Sequence, residues 1–284
     1  ICAVPMSAQN YLQYKLNKKM RTNLEQFVEY IQAHPDAKPG KVKAESINGI
    51  ESRTDDEQAI DFTAEAESEL HAAVNPADTN NIIISAMRQD PNSFLSPLQF
   101  PTYYTKDFGA TWQLSEFDGT VGGGGDPIIV FDTEGIAYIC WLTLSTDIAL
   151  QTTIALRYAI SNDGGATWTE APEPLDDGNA GSILDIFSGT ASGDIKFVDK
   201  EWLAVDRSSS PYRNNIYASY LTIESEDGES ITTNITLRKK AANKEFFTTE
   251  SVQVNTEAYK LVQFTSIDVD SEGTVHVTFA GTPD

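Results

Sequence analysis

Two octapeptides of one pattern constrain the fold of this chain more than any other feature. The first octapeptide runs from Thr105 to Trp112, and the second octapeptide runs from Ser161 to Trp168. Both hold Asp, Gly, Thr and Trp at the same spacing after a hydroxyl residue, namely Asp107, Gly109, Thr111 and Trp112, and Asp163, Gly165, Thr167 and Trp168. The Asp can accept hydrogen bonds from its own turn, the Gly permits a left-handed backbone, and the Trp can bury its ring against a strand. The pair therefore predicts two equivalent hairpins of a repeated unit.

The repeat extends beyond the octapeptides. An apolar run that ends in Asn or Asp occurs four times, roughly 60 residues apart, with end residues Asn75, Asp132, Asp206 and Asp270. Each end residue is followed by a second β-rich run, such as Ile136 to Leu142. Units of this size are typical of four-stranded propeller blades. In the third unit, Lys239 to Phe247 has lost the octapeptide pattern, and its paired aromatic residues are expected to replace the missing Trp.

The octapeptides resemble the Asp-box, or BNR repeat, of sialidase-like β-propellers. In that family the box closes an outer hairpin of a blade, away from the central pit where ligands bind. The resemblance implies an all-β fold, a six- or seven-bladed β-propeller, of which residues 67–284 hold about three and a half blades. It also implies that the box residues are structural. It selects no function, because fold and function are separable.

The first 66 residues are predicted to form three further segments. Residues 1–9 resemble the end of a secretory signal peptide, which predicts an exported bacterial protein, secreted or at the cell surface. Within residues 10–40, apolar side chains at three- and four-residue spacing predict an amphipathic α-helix, which can pack on the propeller or dock a partner protein. Residues 41–66 are acidic and aperiodic, which predicts a linker or arm.

Composition narrows the partners. The chain has 284 residues and a net charge of −22, which disfavours nucleic acid because phosphate contacts need clustered Lys and Arg. It holds no apolar run long enough for a transmembrane segment. Cys140 lies in an apolar run that predicts a buried thiol. No cofactor and no metal site are expected, although calcium is an option at acidic residues of a glycine-rich region, Asp176, Asp177, Asp185, Asp194 and Asp199.

Alignment of the four units predicts which residues line the pit. The position six residues before each end residue holds Glu69, Asp126, Lys200 or Phe264. With their neighbours, the ligand-pit candidates are Glu69, His71, Asp126, Lys200, Glu201 and Trp202. Asp126 follows Gly122 to Gly125, which is expected to be a flexible loop open to ligands. Asp126 and Glu201 are candidates for an acid and a base beside a bound sugar. In the alternative interpretation the charges neutralise one another, as Lys200 can do for Glu69 or Asp126.

The resemblance to sialidases is incomplete at the residues that carry catalysis. That family has an arginine triad, a Tyr-Glu nucleophile pair and an acid Asp, with the first arginine in an Arg-Ile-Pro motif ahead of the first blade. Here Glu65 to Val74 contains no arginine, and Arg53 is not followed by Ile-Pro. Further arginines lie at other places in the repeat, namely Arg88, Arg157, Arg207 and Arg213.

Three functions therefore stay open at the level of sequence. The first is a binding module for glycans or proteins at the cell surface or in a secreted assembly. The second is a glycoside hydrolase of sialidase-like fold, of the exo-sialidase type. The third is a cargo or component of a bacterial protein-export complex, with the N-terminal helix as its docking element.

Overall fold

The computed structural model describes residues 67–89, 98–118, 124–146, 151–182, 194–225 and 232–283. Within these ranges all helix or strand structure is β-strand, as the sequence predicts. The predicted signal-peptide remnant 1–9, helix 10–40 and arm 41–66 lie outside the described residues. The described part of the chain contains no helix of the length and apolarity that a membrane crossing requires.

The strands form four sheets that follow one another along the chain. The first sheet contains β1 (Glu67–Val74), β2 (Ile82–Gln89), β3 (Leu98–Gln99), β4 (Thr102–Thr105) and β5 (Gln113–Leu114). The second sheet contains β6 (Glu116–Asp118), β7 (Gly124–Phe131), β8 (Ala137–Thr146), β9 (Gln151–Ser161), β10 (Thr167–Glu170) and β11 (Asp176–Ser182). The third sheet contains β12 (Ile195–Val205), β13 (Ile216–Ser225), β14 (Thr232–Lys240) and β15 (Val252–Gln253). The fourth sheet contains β16 (Tyr259–Val269) and β17 (Val275–Pro283).

Neighbouring strands within a sheet are also neighbours in sequence. The third sheet has the order β12-β13-β14-β15, and in the second sheet β7, β8, β9 and β10 follow the same antiparallel meander. Two departures are short-range, since β2 pairs with β4 as well as β3, and β9 pairs with β11 as well as β10. The third is β6, which leaves the first unit and pairs in parallel with β10 of the second. Through β6, the segment of chain that follows the first sheet adds a strand to the outer edge of the second sheet.

The antiparallel meanders of the four sheets begin at β1, β7, β12 and β16, which we call the first strands. Each of the four end residues predicted from the repeat follows directly on a first strand and lies in the turn to the next strand. Asp132 Oδ1 accepts hydrogen bonds from the amides of Glu134 and Ile136, each at 2.9 Å. Asp270 Oδ1 accepts two amides in the same pattern. A short side chain that satisfies the amides of its own turn explains why Asp or Asn recurs there.

The two octapeptides form turns with the same hydrogen bonds. Asp163 Oδ1 accepts the Thr167 amide at 2.9 Å, and Asp163 Oδ2 accepts the Thr167 hydroxyl at 2.7 Å. The Ser161 hydroxyl donates to Asp163 Oδ1 at 2.8 Å and accepts the Gly165 amide at 2.8 Å. The first octapeptide repeats these bonds through its own residues, Thr105, Asp107, Gly109 and Thr111. In the second turn the Asp163 carboxylate thus accepts the amide and hydroxyl of Thr167, which the tight backbone of the turn does not itself bond.

The second octapeptide also docks on the first sheet. Asn81 donates from Nδ2 to the carbonyl oxygens of Thr105 at 2.9 Å and Gly164 at 2.8 Å. Gly165 has a φ of +93°, and a Cβ there would lie 2.6 Å from Ile83 Cδ1. Glycine is therefore required for both the left-handed backbone and the close approach of the two sheets.

Successive sheets pack face to face, with an apolar core between each pair. Phe131, Ile139 and Trp141 of the second sheet pack against Ile83 of the first. On its other face the second sheet shares a larger core with the third sheet, and two smaller cores join the third and fourth sheets. The first strands also contact one another in turn, β1 with β7, β7 with β12, and β12 with β16. This is the arrangement of blades in a β-propeller.

The predicted burial of the octapeptide tryptophans differs between the two copies. Trp168 is fully buried and stacks on Phe117 at 5.8 Å, whereas Trp112 is partly exposed. In the third unit, where the pattern is lost, one of the two aromatic residues packs inward. Phe247 meets the Tyr158 ring edge-on at 5.1 Å, while Phe246 is exposed.

The unequal burial predicts unequal stability effects. Trp168→Ala is expected to lower the free energy of unfolding by about 3–5 kcal/mol, because it empties a fully enclosed site. Trp112→Ala, the matched variant, is expected to cost less than half as much, because part of the ring already contacts water. Urea denaturation of both variants measures the difference. Equal losses would contradict the packing described here.

Candidate binding site at the first strands

The first strand of every sheet carries a β-bulge at the same level. Strand pairing shifts register between Ser68 and His71 in β1, and equivalent shifts occur in β7, β12 and β16. Inside each bulge one residue adopts a positive φ of 53° to 55°, and these residues are Glu69, Asp126, Lys200 and Phe264. They are the four positions that the sequence alignment placed six residues before the end residues. A bulge re-aims the side chain that it carries, so the same redirection occurs in four successive sheets.

Three of the re-aimed side chains meet. Lys200 Nζ lies 2.6 Å from Asp126 Oδ2 and 3.1 Å from Glu69 Oε2. Burial alone would lower the pKa of Lys200, but the charges of Asp126, Asp199 and Glu69 outweigh it and hold that pKa well above its ordinary value. The ammonium group is therefore charged at any physiological pH, and it links the first, second and third sheets.

Glu201, the next residue along β12, has a different environment. Its carboxyl oxygens are inaccessible to solvent and have no hydrogen-bond partner among the described side chains and backbone groups. Burial, followed by the charge of Asp126, raises the pKa of Glu201 well above its ordinary range, against the smaller effects of its own amide and of Lys200. Burial also raises the pKa of the enclosed Cys140 thiol, and the nearby Glu201 adds to that effect. Glu201 is thus an enclosed carboxyl group beside the core of the second and third sheets, in surroundings that disfavour its charged form.

His71 and Trp202 lie at the same level of their strands and contact each other. Their rings meet edge-on, with centroids 5.7 Å apart. His71 Nδ1 accepts the backbone amide of Ile129 at 3.1 Å, and burial lowers the pKa of His71. The ring is therefore neutral, with its proton on Nε2. Trp202 keeps 37% of its surface exposed.

These residues surround an open cavity of about 270 Å³, which we call the first-strand cavity. All six ligand-pit candidates line it. The other lining residues are Phe264, which the alignment also placed six positions before an end residue, and four residues four or five positions before the end residues, namely Leu70, Pro127, Ile128 and Thr265. Two of these, Leu70 and Phe264, are 66% and 62% exposed, so the cavity has apolar as well as charged walls.

The glycine run beside Asp126 differs from the prediction. Gly124 and Gly125 belong to β7 and are buried rather than forming a flexible loop. A Cβ on Gly125 would lie 2.6 Å from Met87 Sδ of the neighbouring sheet. These two glycines therefore permit close packing at the start of β7. Gly122 and Gly123 lie outside the described residues.

The arginines of the repeat lie away from the cavity wherever the structure describes them. Arg88 pairs with Glu67 at 2.6 Å, and Arg157 pairs with Glu170 at 2.6 Å. Arg207 donates to the backbone carbonyl oxygen of Phe131 at the end of β7, and Arg213 donates to that of Ser208. Among the described lining residues the cation is Lys200 alone.

The acidic residues considered for calcium do not form a metal site within the described ranges. Asp176 accepts Lys196 Nζ at 2.6 Å and the Tyr220 hydroxyl at 2.8 Å, and Arg238 lies 3.6 Å away. No group of three or more His, Cys, Asp or Glu side chains suited to a metal occurs in the part of the chain that is described. Asp185 lies outside that part.

Comparisons with known proteins find similarity in structure only. No family model matches the chain, and no curated protein matches it. Among solved structures, the chain is similar to an α-L-arabinanase of Penicillium chrysogenum complexed with arabinobiose, with 15% identity, a TM-score of 0.45, and coverage of 70% of this chain and 53% of that one. It is similar to an ulvan lyase, with 13% identity, a TM-score of 0.47, and coverage of 72% and 49%. It is also similar to a Hadza microbial sialidase, with 10% identity, a TM-score of 0.35, and coverage of 77% and 53%. The chain spans about half the length of these structures.

The buried state of Glu201 predicts a pH-dependent stability. An acid whose pKa is raised by folding stabilises the fold below its unfolded pKa of about 4.3, and this contribution is lost as the pH rises towards the folded pKa. The Glu201→Gln variant lacks this titration and serves as the reference. Above about pH 4.3, the free energy of unfolding of the unmodified protein is therefore expected to fall, relative to that variant, by up to about 1.4 kcal/mol per pH unit. Denaturant titrations from pH 4 to pH 9 measure the difference.

Glu257→Gln is the matched control for this experiment, because Glu257 is exposed. It removes the same charge and is expected to leave the pH profile of stability parallel to that of the unmodified protein. Parallel profiles for Glu201→Gln as well would show that Glu201 is not held as a neutral acid.

Proposed function

We propose that this protein binds a saccharide in the first-strand cavity, as a non-catalytic module of an exported β-propeller. One observation carries the proposal. Bulges at one level of three sheets hold Lys200 between Glu69 and Asp126, beside the exposed ring of Trp202. A site assembled from three separate sheets depends on the whole fold, which favours a role for the site beyond the stability of any one hairpin.

The chemistry of these walls suits a sugar. A saccharide presents hydroxyl groups that both donate and accept hydrogen bonds, together with C–H faces that are apolar. Carboxylates accept from hydroxyls and an ammonium donates to them, while an exposed indole face supplies apolar contact area. The cavity combines these groups within one open space of about 270 Å³.

The two octapeptides support assignment of the propeller to the Asp-box type. Each turn uses its Asp, Thr and Gly in the same hydrogen bonds. Neither octapeptide contributes a residue to the cavity wall. In this proposal the box residues stabilise outer hairpins, and ligand recognition belongs to the bulged first strands.

Loss of the Trp202 ring is expected to weaken saccharide binding. Trp202→Ala should reduce the affinity for any ligand found on a panel of neutral oligosaccharides by tenfold or more, because stacked contact area is lost. Isothermal titration calorimetry of the folded variant measures the affinity.

Tyr212→Ala is the control, since Tyr212 is 57% exposed but does not line the cavity. It should bind as the unmodified protein does. Unchanged binding by Trp202→Ala, or no binding of any saccharide by the unmodified protein, would reject the proposal.

Glycoside hydrolysis is the second candidate, because Asp126 and Glu201 line one cavity in different environments. Asp126 is ion-paired, whereas burial raises the pKa of Glu201 and so favours its protonated form. A charged and a protonated carboxyl are the pair that glycosidases use. The enclosed oxygens of Glu201 weigh against this candidate, because a general acid must reach the leaving-group oxygen.

Turnover distinguishes the two candidates. The binding proposal predicts no release of fluorophore from fluorogenic sialosides or arabinofuranosides above the level of Asp126→Asn. Hydrolysis that the unmodified protein catalyses and Asp126→Asn abolishes would replace the binding proposal with the hydrolase candidate.

A further inference from the structure

Of the four re-aimed side chains on the first strands, that of Phe264 alone is uncharged. Phe264 lies in the bulge of β16 with a φ of 55°, and a positive φ is rare for a bulky residue because its side chain crowds the backbone. The ring is nevertheless 62% exposed. It belongs to none of the apolar cores between the described sheets, and it contacts no other aromatic ring among the described residues. Burial therefore does not account for a phenylalanine at this position.

The backbone on both sides of Phe264 is fixed to the third sheet. The Val262 amide donates to the Thr233 hydroxyl at 2.8 Å in a buried hydrogen bond. The Thr265 hydroxyl donates to that of Ser219, also at 2.8 Å and also buried. Strained backbone persists only where its surroundings determine it, so the third sheet holds this bulge in place and the ring stands at the cavity wall. A side chain on a fixed backbone loses less entropy when a ligand covers it.

Phe264 and Trp202 supply two separate aromatic surfaces to one cavity. The Trp202 ring, from β12, meets the His71 ring of β1 edge-on, whereas Phe264 lies on β16. Trp202 and Phe264 do not contact each other within the described part of the chain, and both rings keep accessible surface. A pyranose ring and an aromatic side chain are similar in size. A saccharide that covers both rings therefore needs at least two linked sugar units.

The apolar character of the two rings decides which sugars fit. A hydroxyl group pressed against an aromatic face loses its hydrogen bonds to water without gaining a partner. In a pyranose whose hydroxyl groups are all equatorial, both faces carry only C–H groups and the hydroxyls project from the edge. A β-1,4 linkage joins such units into an extended chain in which either face of a unit can lie on a ring. The edge hydroxyls can then bond the polar wall, where Lys200 lies between Glu69 and Asp126.

We infer that the ligand of the first-strand cavity is a β-1,4-linked oligosaccharide of all-equatorial sugars, with one unit on Trp202 and another on Phe264. The inference rests on the proposed saccharide binding. It adds the chain length and the stereochemical class of the ligand, and it makes Phe264 a second aromatic binding residue.

Three saccharides test the inference by isothermal titration calorimetry on the full chain, namely cellotriose, β-1,4-mannotriose and glucose. The two trisaccharides have the same length and linkage, and they differ in the axial 2-hydroxyl of each mannose unit. Cellotriose is expected to bind at least about fivefold more tightly than mannotriose, because an axial hydroxyl against a ring is desolvated. It is expected to bind at least about tenfold more tightly than glucose, which can cover one ring only. Undetectable binding of glucose agrees with this expectation.

Removal of the Phe264 ring tests its role directly. Phe264→Ala is expected to lower the affinity for cellotriose about fivefold or more, because the contact with the second sugar unit is lost. Phe264→Tyr keeps an aromatic face and is expected to bind within about twofold of the unmodified protein. Phe246→Ala is the matched control, since Phe246 is also exposed but does not line the cavity. It should bind cellotriose as the unmodified protein does.

Each outcome decides the inference. Equal or tighter binding of mannotriose or glucose, or unchanged cellotriose binding by Phe264→Ala, overturns the inference while saccharide binding stands. An equal loss in Phe264→Tyr and Phe264→Ala also overturns it, because the aromatic face would then not be the group that binds. Absence of cellotriose binding by the unmodified protein overturns it as well, and the neutral oligosaccharide panel then decides separately whether the cavity binds saccharides.

Discussion

Apolar contact between successive sheets is the interaction on which the rest of the structure depends. β7 is buried along its full length because the first sheet covers one of its faces and the third sheet covers the other. This packing brings the first strands β1, β7 and β12 side by side. Side chains at one level of these strands then converge, although more than 50 residues separate each from the next. The cavity is therefore a consequence of core packing, with strands rather than long loops supplying its walls.

The four bulges convert that packing into a site. A residue with a Cβ in the left-handed region costs about 1 kcal/mol or more, and the fold holds four such residues at one level. Such strain persists only where the surrounding structure determines the backbone, and here strand pairing resumes on both sides of each bulge. The redirected side chains at three of the four positions are charged, and they compensate one another through Lys200. At the fourth position Phe264 supplies an exposed ring instead.

Two carboxyl groups beside the same cavity have opposite physical roles. Asp126 reaches Lys200 and stays at the cavity wall, whereas Glu201 points its oxygens into enclosed space near Cys140. The protonation state of Glu201 therefore bears on the stability of the interface between the second and third sheets.

The sequence by itself determined the strands, their first hairpins and the level at which the site lies. These are local properties, because strand runs and Asx turns are written in neighbouring residues, and the repeat then aligned Glu69, Asp126 and Lys200. Only the tertiary structure decided that Lys200 joins both carboxylates, that Glu201 is enclosed, that Gly124 and Gly125 are packed strand residues, and that Trp168 is buried more deeply than Trp112. Each of these depends on how closely two sheets approach. That distance is set by side-chain packing between residues far apart in sequence, which no single stretch of the chain contains.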